Sequence, residues 1–377
     1  MIVSMALDLS NYELIWPTEL FVAEGSRVAR SQGARWEDRV VWLLTEALSG
    51  STAVSDFEDA RNIFGDRNSG TWEASKFQKE WIAELIDRAN ELSHSSQPRP
   101  YWPQRQARTT DIKPEPKDAR KEFVRVISDF NANGYLTEAF GQECVDDNQP
   151  LPIRAEVIEE RLGIASLWPL SPNSWDTDTF YGLLEVFHDL VSRPRHRSFH
   201  SWDECGWHYS EFHSAPARLL YRWKINQILR SASIEYELAS EGEDVGRLVA
   251  TTDEPRSDLV RRALTESPQG TKGTVAHAVS FFRSRSTSPE SKRSAIVALA
   301  GVLEERRKLI RDDISKEDEG ALFQIANRFN LRHQRADQLG NYNEAFLDWI
   351  FWWYLSTVDL TNRIISTQIH TQQEEGS

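Results

Sequence analysis

From Pro255 to Ile369 the apolar residues recur every three or four positions, in successive runs over about 255–266, 271–283, 288–313, 315–337 and 342–369. That spacing gathers them on one side of a helix. A sheet has no use for it, because strand side chains alternate with period two. Ser288 before Pro289 supplies an N-cap followed by a residue suited to the first helical turn, and Ser315 with Asp318 repeats the start signal in weaker form. Long helices joined by short connections pack antiparallel. The last third therefore reads as an antiparallel helical bundle.

Upstream, Trp36, Val40, Val41, Leu44 and Leu48 mark a helix that Gly50 stops, and Phe77, Trp81, Leu85, Ala89 and Leu92 mark another. The pattern then collapses over 95–117, which holds five prolines and reads as a linker. Helical spacing returns around Phe123–Phe130, ended by Asn133-Gly134, then at 155–162 before Gly163, at 180–191 and at 215–238. Few runs have period two, and short strands near Trp168 and Val249 stay open. A chain of 377 residues is too long for one core. The expected architecture is mainly α and multi-helical: an N-terminal helical module over 1–94, the linker 95–117, a Trp- and His-rich middle module over 118–250 that is helical or α+β, and the C-terminal bundle over 251–377.

The net charge is -14, so any contact with nucleic acid must live in a small local site rather than in the overall field. The two cysteines, Cys144 and Cys205, do not make a disulfide framework and fit the reducing cytoplasm. The first sixteen residues lack a basic start and place Asp8 and Glu13 within their apolar stretch, unlike a secretion signal. The most apolar run, Phe346 to Leu355, is about half the length a bilayer needs and contains Asp348, which argues against a membrane span. Phosphate-loop, dinucleotide, HExxH and GxSxG motifs are absent, which removes the simplest nucleotide-driven, zinc-protease and serine-hydrolase activities.

Five of the nine histidines fall between His188 and His213. The spacing Cys205-x-x-His208 suits zinc, and His200 and His213 offer two further ligands, although only one recognisable ligand pair is present. Arg193, Arg195, His196 and Arg197 offer instead a local anion patch. The plainest alternative is a folded loop with Trp202, Trp207 and Tyr209 packed on the 215–238 helix.

On the run beginning at Ser315, the stripe Leu322, Ile325, Ala326, Phe329 continues into Arg332 and His333, with Arg328 one turn before Arg332. A stripe that changes from apolar to ionisable needs partners for the charges it buries. Arg328-Phe-Asn-Leu-Arg-His333 resembles the Arg-x4–6-His motif of HEPN ribonucleases, which are small helical bundles. The segments NRFNLRHQ and DWIFWWYL, with GYLTEAFGQECVDD and the His-rich run upstream, look similar to bacterial proteins associated with abortive infection. The resemblance implies a metal-independent endoribonuclease of phage defence or stress, with no cofactor, acting on RNA as a homodimer whose motifs meet at the interface. His333 would be the acid or base and Arg328 the phosphate ligand, with Arg332 a helper and Asn330 an orienter. Phe329 departs from the Asn, Asp or His that usually follows the Arg. The alternative is a non-catalytic interaction or sensor subunit, in which these residues form a structural cluster with Glu304 or Glu305.

Overall fold

The computed structural model describes residues 7–33, 35–61, 76–94, 118–146, 150–202, 205–284, 288–313, 320, 322–324 and 344–375. The proline-rich stretch and nearly all of 315–337 lie outside the described residues. Those described are mainly helical. The chain divides into two compact units: Met1–Glu115 with Ala215–Trp223, and Pro116–Ser214 with Lys224–Ser377.

In the first unit α1 (Thr18–Arg30), α2 (Trp36–Ala47), α3 (Thr52–Asp59) and α4 (Lys76–Asp87) accompany a short parallel pair, β1 (Glu13–Leu14) with β2 (Ser93–His94). The apolar stripe that marks α2 in the sequence is largely its buried face, with Trp36, Val40 and Leu44 nearly inaccessible. On α4 the buried face is instead Gln78, Ile82, Leu85 and Ile86, and Phe77 of the expected stripe is 42% exposed. Gly25 lets α1 approach closely, since a Cβ there would lie 3.0 Å from the Ile86 side chain.

The second unit opens with α5 (Ala119–Ala132), α6 (Thr137–Phe140), α7 (Arg154–Leu162) and α8 (Thr177–Leu190). Asp118 and Asp176 cap α5 and α8 by accepting from backbone N–H groups of the first turn. Phe123 holds the two helices together through ring contacts to Trp175, Phe180 and Phe187. An antiparallel hairpin follows, β3 (Arg193–His200) with β4 (Gly206–His213), where helical spacing gives no hint of regular structure. The helix expected over 215–238 is α9 (Ser214–Ser231), of which Ala215–Trp223 belong to the first unit. It stops short because Tyr236–Leu238 forms β5 and pairs antiparallel with β6 (Leu248–Ala250). Among the described residues no strand forms around Trp168.

The C-terminal helices are α10 (Glu254–Glu266), α11 (Gln269–Arg283), α12 (Pro289–Glu305), α13 (Arg307–Asp313) and α14 (Ala345–Glu375). Ser288 caps α12 by accepting from Ser291 N at 3.2 Å. The run 288–313 is two helices rather than one. Arg306 interrupts it and buries its guanidinium, donating to Val358 O, Thr361 Oγ1, Asn362 Oδ1 and Thr271 Oγ1. Val260, Val275, Ile296, Leu299, Phe351 and Leu355 belong to one continuous buried cluster, where each large side chain contributes about 1.5–3 kcal/mol. No helix among the described residues is long and apolar enough to cross a membrane.

Candidate metal centre

The β3–β4 hairpin leaves the body of its unit base first. At the base, Arg193 is buried and donates from Nε to Tyr135 Oη at 3.2 Å, while Ser192 N donates to Tyr135 O at 2.8 Å. Toward the tip exposure rises, and Phe199 and Trp202 are 61% and 72% accessible. Little apolar burial secures the tip, so something else must.

Strand pairing sorts the side chains onto two faces. The register sets Ser198 opposite His208, His196 opposite Ser210 and His200 opposite Gly206. With alternation along each strand, His196, Ser198, His200, His208 and Ser210 share one face. Arg197, Phe199, Trp207 and Tyr209 share the other. On that second face Phe199 and Trp207 make an edge contact with ring centres 5.2 Å apart, and Arg197 lies over the Trp207 ring at 4.2 Å.

The segment from Ala132 to Cys144 wraps around the edge of β4. Tyr209 Oη donates to Ala132 O at 3.2 Å, and its ring lies against Gly134, whose φ of +78° and lack of a Cβ permit both the turn and the contact. Gln142 then meets the strand backbone twice. Its Nε2 donates to Trp207 O and its Oε1 accepts from Tyr209 N. Two residues on, Cys144 reaches the histidine face.

There, Cys144, His200, Cys205 and His208 bring one ligand atom each to within 4.8 Å of all the others, and all four residues are half-buried. Cys205 sits at the end of the hairpin loop, where its N–H donates to Trp202 O at 3.1 Å, immediately before Gly206 opens β4 with φ +81°. Cys144 Sγ lies 3.8 Å from His200 Nδ1. A sulfur and a nitrogen sharing one tetrahedral zinc are separated by roughly 3.6 Å, given Zn–S near 2.3 Å and Zn–N near 2.0–2.1 Å. The two rings stand edge to face with centres 5.4 Å apart.

Two further observations fit a cation. His208 Nε2 is buried and has no hydrogen-bond partner, a costly state for a ring nitrogen unless a ligand takes it. On His200 the nitrogen turned away from the cluster, Nε2, lies 3.3 Å from Asp146 Oδ2. A carboxylate on the outer nitrogen of a histidine fixes the tautomer that presents the inner nitrogen as a lone pair to a metal. A thiol–imidazole hydrogen bond between Cys144 and His200 would satisfy that pair and leave His208 Nε2 orphaned. The donor set, two thiolates and two imidazoles, suits zinc, and four protein ligands would leave no position for a reacting water, as in a structural site.

Three of the four residues read from the sequence as zinc candidates thus converge, and the fourth does not. His213 pairs with Arg193 at the base of the hairpin, and Cys144 stands in its place. Of the anion patch, Arg193 is buried at the base, Arg197 lies over Trp207 on the aromatic face, and His196 Nδ1 bonds Ser210 Oγ at 3.0 Å on the histidine face. The loop packed on a helix is not found either, because the segment is a hairpin with Trp202 and Trp207 exposed. Arg328, Asn330, Arg332 and His333 lie outside the described residues. Just before them Leu322 and Phe323 are buried, and Leu322 O accepts from Tyr354 Oη at 2.7 Å.

No protein-family model matches the chain, and neither a curated protein nor a solved structure is similar to it.

Proposed function

We propose that this is a zinc-binding protein in which Cys144, His200, Cys205 and His208 hold one structural ion that pins the tip of the β3–β4 hairpin to the segment after α6. The carrying observation is the convergence of four ligand atoms within 4.8 Å of one another, from residues up to 64 positions apart in the chain, together with a buried His208 nitrogen that has no hydrogen-bond partner. The metal fixes a surface that apolar burial does not. Elemental analysis of the purified full chain tests this directly: about one zinc per chain is expected, lost on Cys144→Ser or His208→Ala and kept on His213→Ala. Equal zinc in all four proteins sinks the assignment.

A second proposal keeps RNA as the partner, in the sense of the HEPN resemblance, with homodimeric Arg328 and His333 motifs cleaving it. The observation that favours a nucleic-acid partner is the hairpin tip, where Phe199 and Trp202 are open to solvent beside Arg197 on Trp207. Bases stack on such rings without sequence preference. RNA cleavage in excess EDTA, abolished by His333→Ala with folding retained, is the expected result. Cleavage that survives that substitution overturns it.

A further inference from the structure

The C-terminal helices carry a cleft that shares no residue with the metal centre. Its volume is about 820 Å³, within the span of roughly 300–1,000 Å³ typical of small-molecule sites. One wall is aromatic, built from Phe282, Trp349, Trp352 and Trp353. Trp349 stacks on Trp353 with centres 5.6 Å apart and planes 19° from parallel, yet remains 50% accessible. An indole so held and half open is a ready platform for a flat ring.

The placement of charges around that platform favours an anionic ligand. Arg256 lies over Trp352 at 5.2 Å and Lys292 over Phe282 at 5.6 Å, so the ring faces at which a ligand cation would sit already hold the protein's own cations. Three cations line the cleft, Arg256, Arg283 and Lys292, against the carboxylates of Asp253 and Asp348. Asp348 is bound to Lys292 at 2.6 Å. Asp253 is shared between the Arg256 side chain and the cap of α10. Arg283 binds Glu237 and Ala250 O through Nη2, and Glu237 does not line the cleft. Its Nε–H is buried without an acceptor.

We infer that this cleft binds a mononucleotide, with the base stacked on Trp349 and the phosphate met by Arg256 and Arg283. Guanidinium forks match phosphate oxygens, and the hydroxyl-bearing side chains Thr251, Thr252 and Ser356 on the lining suit a sugar between ring and anion. The proposal stands whether or not zinc is bound at the hairpin.

The test is calorimetric titration of the full chain with AMP, GMP, CMP and UMP, and with adenosine and ribose 5-phosphate as the two halves of one of them. At least one mononucleotide is expected to bind saturably at one site per chain, and each half at least about tenfold more weakly. Trp349→Ala should weaken the nucleotide by about tenfold or more, the scale of one lost base–aromatic stack. Arg256→Gln, at an exposed position, should weaken the nucleotide while leaving adenosine unchanged. Phe346→Ala, half-exposed on the same helix but outside the cleft, should leave binding unchanged. The inference is overturned if no mononucleotide binds saturably, if adenosine binds as tightly as AMP, or if both Trp349→Ala and Arg256→Gln bind as the wild type does.

Discussion

The C-terminal helices and the β3–β4 hairpin belong to one compact unit and are held by different means. The helices bury a continuous apolar cluster running from Val260 to Val358. The hairpin buries its base and leaves Phe199, Trp202 and Trp207 at the tip in solvent. What fixes the tip is polar: one glutamine on the strand edge, a tyrosine over a glycine, and four ligand atoms around one point. Apolar burial is collective and tolerates the loss of any one member at a few kcal/mol. A coordination sphere is not divisible in that way, since its binding energy is folding energy for whatever it closes.

Removing the metal is therefore the largest expected effect and should fall on one region alone. On treatment with a strong chelator, amide exchange should accelerate across residues 197–209. The Ser192 amide stays protected by its bond to Tyr135 O, and the helices from α10 to α14 keep their protection and circular dichroism. Global unfolding on chelation, or no change at the hairpin, breaks the contrast. The reciprocal change is smaller. Phe351 is fully buried and stacked on Phe282 with centres 3.6 Å apart. Phe351→Ala should cost about 3–5 kcal/mol and lower Tm by on the order of 10 °C, with zinc content unaltered. Loss of zinc in that variant would mean that the two regions are not separately stabilised.

The same difference explains what was legible in the sequence. Burying one face of a helix writes a three-to-four spacing into the chain, so α2, α4, α5, α8 and the C-terminal helices can be placed from their apolar residues, to within a few positions at their ends. The hairpin writes no comparable signal. One of its faces carries His196, Ser198, His200, His208 and Ser210, and the other mixes Arg197 with Phe199, Trp207 and Tyr209, so apolar and polar residues never alternate cleanly. The metal centre is partly visible because His200, Cys205 and His208 lie within nine residues. Cys144 is not, because only the fold brings it across from 56 positions upstream of His200. The available signal was arithmetic: a zinc site with one cysteine in a chain of two invites the question of where the other lies. Arg306 shows a second limit. Periodicity runs straight through 288–313, and the break comes from a buried guanidinium seeking acceptors on α11 and α14, which spacing cannot report.

The smallest effect is also the most discriminating. Asp146 touches no ligand atom in the cluster, only the outer nitrogen of His200. If the four residues merely share hydrogen bonds, Asp146→Asn removes one surface contact and changes metal content not at all. If they hold zinc, the substitution weakens the hold on the His200 tautomer, and metal affinity falls. Outer-sphere carboxylates of this kind are worth about 10–100-fold. The Asp146 side chain is 74% accessible, so water screens and partly replaces it, and the expected loss sits at the low end, about tenfold. Competition with a chromophoric zinc chelator resolves a tenfold change. Because the substitution leaves all four ligands in place, full occupancy at saturating zinc should persist while affinity drops. A drop in both would mean that the asparagine disturbed the segment around Cys144, and an unchanged affinity would remove the carboxylate–histidine pair from the account of how this centre is built.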